Sequence, residues 1–424
     1  MKAILPPSRA AAEAGSAAQA ARIAMAVATS AQKNCALVTM AKLLNERQEE
    51  ILRANHHDMV CALESGASEV ITKRLVLTAQ SLAARISALH QLSALPDPVG
   101  EIFHSQEPEP RLMVQKIRVP IGVILLVFES RPHVSVNGPA VCFKSGNCII
   151  LRGGNEAEKT NRCLVSLWHQ ALECADLPQD AVQLLQAGHQ SVEEALHLAE
   201  SIQLVIPRGG RALMDTVAMH ARMPVLHHYA GLCHQYVDAS ANLQKALNII
   251  IDSKLSMPAV CNSMETLLVH RDLLPWCSEL VNALTSHGVE VRGCTALQRV
   301  VSGISPATED DWSTEYLSEI VSIKVVGTLH EAIMHINTYG SHHTDGIITE
   351  NLSSQQTFNN LVDSAVVLCN TSTMYCDGSL LGFGPEIGIS TSILHARGPV
   401  GASDLTTYKV VVSGNGHTLK PEAL

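Results

Sequence analysis

Residues 121–128 read Ile121-Gly122-Val123-Ile124-Leu125-Leu126-Val127-Phe128. An apolar run this short, rich in β-branched residues, predicts a strand buried on both faces, as in a parallel sheet. Helical texture follows from His133 to Lys144. A second strand, Cys148 to Leu151, ends in Arg152-Gly153-Gly154, and a helix covers about 156–175. Then come Ala181–Leu185 as strand, Val192–Glu200 as helix and Ile202–Ile206 as strand. That strand ends in Pro207-Arg208-Gly209-Gly210, and a helix resumes at Ala212. Such alternation predicts a doubly wound α/β sheet with right-handed crossovers.

Outward from this block, residues 10–95 carry helical periodicity, stopped by Pro96-Asp97-Pro98. Residues 101–118 alternate weakly around Glu107-Pro108-Glu109-Pro110, which predicts an exposed hairpin. A second α/β unit follows, with helices over 241–254 and 273–286 and strands over 265–269, 289–291 and 320–326. Residues 378–401 are rich in Gly, Ser and Thr, as functional loops often are, and 406–412 reads as a strand on a sheet edge.

At 424 residues the chain exceeds what one hydrophobic core serves. Hydrophobic residues make up 46% and aromatics 3%, so the cores are aliphatic and base-stacking platforms scarce. A net charge of −10 argues against a general affinity for nucleic acid or anionic membrane. No apolar run approaches a membrane span, and residues 1–10 lack the apolar centre of a signal peptide. The 12 cysteines include no CxxC pair. That fits reduced thiols in a cytoplasmic protein. The histidine doublets 56–57, 227–228 and 342–343 lack ligand spacing with a supporting carboxylate, so no metal is expected.

Two features carry chemistry. Arg152-Gly153-Gly154 and Arg208-Gly209-Gly210 both end a strand before a helix. Glycines let the backbone come close to a ligand, a helix start supplies free N–H groups, and arginine suits phosphate. Two such corners on one parallel sheet predict a nucleotide crevice, although no G-x-G-x-x-G follows a strand. The second feature is Cys261, in a turn after Pro258 and before the strand at 265. A thiol there is a competent nucleophile toward an acyl carbon, with the following backbone N–H groups and the Asn262 amide as oxyanion donors. By spacing alone, an inert buried thiol is the more economical reading.

Longer motifs decide between these readings. Val119-Pro120-Ile121-Gly122-Val123, Phe128-Glu129-Ser130-Arg131-Pro132, both glycine corners, Val260-Cys261-Asn262-Ser263-Met264-Glu265-Thr266, His343-Thr344-Asp345, Glu386-Ile387-Gly388 and Leu394-His395-Ala396-Arg397-Gly398-Pro399 resemble the γ-glutamyl phosphate reductases of the aldehyde dehydrogenase superfamily. The resemblance runs along nearly the whole chain, in order. It implies an α/β, aldehyde dehydrogenase-like fold with two doubly wound parallel-sheet domains, a cofactor-binding domain over 1–98 and 119–230 and a catalytic domain over 231–395, plus a β-arm for oligomerisation built from 99–118 and 396–424.

The implied reaction is NADPH-dependent reduction of L-glutamyl 5-phosphate to L-glutamate 5-semialdehyde through a Cys261 thioester, in proline biosynthesis. Ser130 falls where the superfamily places an oxyanion-binding asparagine. Arg152, Gly153, Gly154, Pro207, Arg208, Gly209 and Gly210 would hold the cofactor, with Glu315 on the nicotinamide ribose. Arg131, His228, His343, Thr344, Asp345 and Arg397 would face the substrate. His228 stands about where hydrolytic relatives keep a glutamate base. The implied assembly is a homodimer or dimer of dimers, with association with glutamate 5-kinase. The chain departs from the family pattern at Asn155, Ala230, Leu255, Met257, Met374 and Pro385. Those departures leave room for a reductase of another acyl phosphate or thioester, or for a non-catalytic relative.

Overall fold

The computed structural model describes residues 7–185, 189–227 and 230–419. Among them no helix is long and apolar enough to cross a membrane. The chain forms two compact units: residues 1–227 with 383–388 and 400–424, and residues 228–382 with 389–399.

The first unit opens with five helices: α1 Pro7–Val27, α2 Ser30–Glu46, α3 Gln48–Glu64, α4 Glu69–Leu75 and α5 Ala79–Ala94. Two of their starts are written in the sequence as capping boxes. Thr29 Oγ1 accepts from the Gln32 N–H at 3.2 Å while Gln32 Oε1 accepts from the Thr29 N–H at 3.1 Å. Thr78 and Ser81 exchange the same pair of bonds before α5. The hairpin follows as β1 Ile102–Glu109 and β2 Leu112–Pro120. The parallel sheet consists of β3 Val123–Phe128, β4 Cys148–Arg152, β5 Val182–Leu184 and β6 Leu204–Arg208, in spatial order β5-β4-β3-β6. Every residue of β3 and β4 is buried, as the apolar runs require. Helices α6 Val134–Lys144, α7 Glu158–Cys174, α8 His189–Leu196 and α9 Arg211–His220 connect and flank these strands. The strand Thr406–Ser413 pairs antiparallel with β2, which makes β2 the centre of a three-stranded sheet.

The second unit is built on a seven-stranded parallel sheet. Its strands are β7 Cys233–Val237, β8 Met264–His270, β9 Glu290–Gly293, β10 Ser305–Pro306, β11 Ile320–Val326, β12 Thr344–Ile348 and β13 Val366–Cys369. Their order is β10-β9-β11-β8-β7-β12-β13. Helix α10 Leu243–Leu255, capped by Asn242 on the Lys245 N–H, packs behind β8. Helices α11 Cys277–Ser286, α12 Thr295–Gln298, α13 Leu329–Tyr339 and α14 Leu352–Leu361 complete the unit. The apolar pattern does not disclose β7, β12 or β13. β7 and β12 hold buried polar residues, among them His234, Gln235, Thr344 and Asp345, which break the hydrophobic signal, and His234 and Asp345 pair across the two strands. β13 is apolar but only four residues long.

One buried histidine in this unit sets a pH response. His335 on α13 is 4% exposed and lies against the Trp312, Tyr339 and His234 rings, with Lys324 Nζ 3.0 Å from its Nδ1. Burial first, then His234 and Lys324, push its pKa down to about 3. The unfolded chain therefore binds a proton at His335 that the folded chain refuses, and stability falls as pH drops below about 6.5. Urea unfolding of the wild type should shift to lower midpoints from pH 6.5 to 4.5, and His335→Gln should flatten that trend. Identical pH slopes in the two proteins would refute it.

Candidate active site

The Cys261 turn is fixed by backbone contact. Gly231, in the segment leading into β7, lies directly against it: a Cβ at Gly231 would fall 1.8 Å from the Cys261 carbonyl oxygen and 2.5 Å from its Cα. No residue with a side chain fits there. The Gly231 N–H donates to Glu315 Oε1 at 2.8 Å, and the Leu232 N–H to Ser341 Oγ at 2.8 Å. Cys233 Sγ then donates to the Cys261 carbonyl at 3.3 Å. Burial raises the Cys233 thiol well above its ordinary pKa, which keeps it protonated and able to donate. Gly231 and Cys233 thus contact the turn directly, Leu232 between them is held by Ser341, and Cys261 itself is half-buried. One amide N–H of the buried Asn262 points to the Met374 carbonyl at 3.5 Å, a long contact that a developing oxyanion could replace.

Beneath the turn lies an ion pair. Lys254, in the last turn of α10, meets Glu265 of β8 at 2.8 Å, with side chains 0% and 1% exposed. Glu265 also accepts from the Leu317 N–H at 3.2 Å. Burial pushes the Glu265 carboxyl up to about 7 against the pull of Lys254. The sequence reading missed this pair. The available signal was a lysine on the apolar face of α10, beside Ile250 and Ser253.

His343, Thr344 and Asp345, expected to face substrate, are all fully buried. Asp345 accepts from the His234 N–H at 2.8 Å and pairs with His234 Nδ1 at 2.7 Å; Ser364 also donates to it. His343 Nδ1 lies 2.9 Å from Thr344 Oγ1 and 3.7 Å from Cys233 Sγ. The expectation is corrected: these side chains hold β7 and β12 together, and His343 supports Cys233. Arg397 is bonded to Asp363 through its side chain at 2.7 Å and its carbonyl at 3.2 Å, which likewise gives it a structural task. Glu315 is engaged with Gly231. His228 lies outside the described residues.

In the first unit the structure gathers Ser130, Arg152 and both glycine corners. The chain's own carboxylates take part of each helix start. Asp58 of α3 accepts from the N–H groups of Lys159 and Thr160 at the start of α7, at 3.3 and 2.8 Å. Glu129 accepts from the Gly210 N–H at 2.8 Å before α9. Ser130 is also redirected: its N–H and hydroxyl both donate to Glu156 Oε1, at 2.8 and 2.6 Å, so the hydroxyl proton expected for an oxyanion is already committed. Arg131 follows it, half-buried. What the first corner offers is space. A cleft of about 140 Å³ is lined by Gly153, Gly154, Glu158, Asn161, Arg162 and Leu184. A Cβ on Gly153 would fall 2.3 Å from Asn161 Nδ2, so a side chain there would crowd that wall. The volume is below the roughly 300–1,000 Å³ typical of whole small-molecule sites, so this cleft suits one part of a ligand. Carboxylate, guanidinium and leucine side chains together suit the sugar, phosphate and base of a nucleotide.

A nucleophile turn on one α/β unit and a glycine-walled cleft on another fit the comparisons with known proteins. The aldehyde dehydrogenase family matches residues 7–293, and the chain belongs to that family. Within it, the chain is 45% identical over 395 residues, 92% of its length and 94% of the relative's, to the γ-glutamyl phosphate reductase of a Thermotoga species (strain RQ2). It is 42% identical to the one from Lactiplantibacillus plantarum, over 95% and 97% of the two chains. The crystal structure of γ-glutamyl phosphate reductase from Thermotoga maritima superposes with a TM-score of 0.94 at 42% identity, covering 97% of this chain and all of that one. The chain is therefore a member of the γ-glutamyl phosphate reductases. An acetylating aldehyde dehydrogenase from Geobacillus thermoglucosidasius, 16% identical with a TM-score of 0.71, shares the fold.

Removing one partner of the buried pair should be costly. Lys254→Met leaves the Glu265 carboxylate without its cation and should destabilise the second unit by about 3–5 kcal/mol. Lys254→Met with Glu265→Leu should recover most of that. Urea unfolding followed by tryptophan fluorescence reads both. A single variant as stable as the wild type would contradict the role given to the pair.

Proposed function

We propose that this chain reduces L-glutamyl 5-phosphate to L-glutamate 5-semialdehyde with release of phosphate, using NADPH, as the second step of proline biosynthesis. The observation that carries the reading is the Cys261 thiol, half-buried on a turn that Gly231 and Cys233 hold by backbone contact. Membership of a family named for this reaction supports the substrate.

The Cys261 thiolate attacks the acyl carbon, the bond to the phosphate oxygen breaks, and phosphate leaves with the electron pair. The Asn262 amide and the backbone N–H groups after Cys261 stabilise the oxyanion as it forms. Bound NADPH supplies the hydride that reduces the thioester. Cys261 then departs as thiolate and frees the aldehyde. Gly153 and Gly154 would let the cofactor approach the backbone, with Glu158 toward its hydroxyls and Arg152 and Arg162 as cations near its phosphates. Pro207, Arg208, Gly209 and Gly210 would hold it at the neighbouring strand end, and Glu315 is the residue read for the nicotinamide ribose. Arg131 is the substrate contact that remains in this reading, with His228 beside the thioester. His343, Thr344, Asp345 and Arg397 act as positioning residues.

The three-stranded sheet is read as an oligomerisation arm, giving a homodimer or dimer of dimers. Tyr408, Val410 and Val412 are exposed along its outer strand, and Phe103 stacks edge-on with Tyr408 at 5.6 Å. An exposed apolar edge of this kind is a liability unless covered. The reading also includes a cytoplasmic location and association with glutamate 5-kinase.

Two experiments test it. Glutamate semialdehyde should reduce NADP only when phosphate is present, and Cys261→Ala should lower that rate by at least about a thousandfold. Retention of the rate in Cys261→Ala would overturn the nucleophile. Val410→Asp should shift the light-scattering mass toward the monomer; an unchanged mass removes the arm from the interface.

A further inference from the structure

Just before the Cys261 turn, the last turn of α10 buries two polar side chains, Ser253 and Lys254. Lys254 is held by Glu265. Ser253 turns instead to the short 3-10 helix Thr373–Cys376, which packs against α10. Its Oγ accepts from the Thr373 N–H at 3.1 Å and donates to Ser372 Oγ at 3.2 Å. Ser372 Oγ accepts in turn from the Met374 N–H at 3.2 Å. These bonds about two hydroxyls fix residues 372–374 against α10. Ser253, Ser372, Thr373 and Met374 are all buried, so a lost hydroxyl leaves a buried backbone donor unpaired.

What this segment presents to the Cys261 turn is one carbonyl. The Met374 carbonyl accepts from the Asn262 amide at 3.5 Å, and Asn262 follows Cys261 directly. The bond is to the backbone of residue 374, so the side chain at that position does not enter. A bond of this length orients the amide and is easily exchanged for a shorter one to an oxyanion. A donor contributes to catalysis only if it is aimed before the charge develops. The outer torsion of asparagine is broad, so the aim of its amide comes from a bond rather than from a rotamer well.

We propose that Ser253 is a positioning residue for the reaction. Its hydroxyl sets the Met374 carbonyl, and that carbonyl aims the Asn262 amide at the oxyanion formed on the acyl carbon bound to Cys261. The inference rests on the function proposed above only in taking Cys261 as nucleophile and Asn262 as donor; the identity of the acyl group does not enter.

p-Nitrophenyl acetate tests it on the full-length protein. The Cys261 thiolate adds to the ester carbonyl, the oxyanion collapses, nitrophenolate leaves with the electron pair, and the acetyl group stays on sulfur. The readout is the nitrophenolate burst that Cys261→Ala lacks. In Ser253→Ala its maximal rate constant should fall about tenfold, with the half-saturating ester concentration within about twofold. Alkylation of Cys261 by iodoacetamide passes through no oxyanion, and its rate in Ser253→Ala should stay within about twofold of the wild type. Asn262→Ala should lose about a hundredfold in the burst, and adding Ser253→Ala to it should cost no more than about twofold further, because the two act as one unit. An unchanged burst in Ser253→Ala overturns the proposal, as does alkylation slowed in step with acylation, or full additivity in the double variant. A protein that shows the expected pattern but no phosphate-dependent reduction of NADP refutes the proposed substrate and leaves the positioning role standing. A wild type without the burst overturns both. Should Ser253→Ala fail to fold, Ser372→Ala, which removes the other hydroxyl, carries the same expectations.

Discussion

The approach of the Gly231 backbone to Cys261 is the constraint on which the chemistry of the second unit depends. A peptide plane, not a side chain, sets where the turn lies. Peptide planes do not change rotamer, so the thiol is positioned by covalent geometry and a few short bonds. Proximity contributes to catalysis only when the reacting atom is held near its attack position, and a half-buried cysteine on a loose loop would not be. Here Glu315 and Ser341 anchor Gly231 and Leu232 of the opposing segment, and Cys233 of that segment bonds the Cys261 carbonyl. The Lys254–Glu265 pair lies under the same turn and joins the end of α10 to β8. Burying both charges costs desolvation, so the pair is better understood as fixing register than as adding stability.

The first unit follows a different electrostatic rule. Its helix starts are satisfied in part internally, by Asp58 at α7 and by Glu129 beside Gly210. A carboxylate at a helix N-terminus competes with a ligand for the free N–H groups and the positive end of the dipole. Side-chain cations and space near the backbone then add to what this unit offers an anion. The glycines at 153 and 154 provide the space. The arginines provide the charge, with fixed forks that discriminate phosphate from a simple anion.

The parallel strands of the first unit were legible because each is a short apolar run bounded by glycine or proline. The same signal located β8 and β11. It failed at β7 and β12, whose buried polar residues pair across the strands instead of with solvent. Motif resemblance found Cys261, but it could not say which motif residues touch ligand. His343, Thr344 and Asp345 belong to a family motif, and only their burial and their contacts with His234 and Cys233 reveal a part in joining strands. Gly231 was passed over as one glycine among 26, since close approach leaves no trace in a single chain.

The fate of the thioester follows from where the acids are spent. Hydrolysis needs a carboxylate free to take a proton from water next to the acyl carbon. In the second unit, Glu265 is bound to Lys254 and the Leu317 N–H, and Glu315 accepts from the Gly231 N–H. Freeing either would undo the contacts that place Cys261. The groups best able to activate water are thus the ones that the turn requires for its shape. A nucleophile site braced by its own carboxylates favours an intermediate that outlasts water and waits for hydride, which is what a reductase needs.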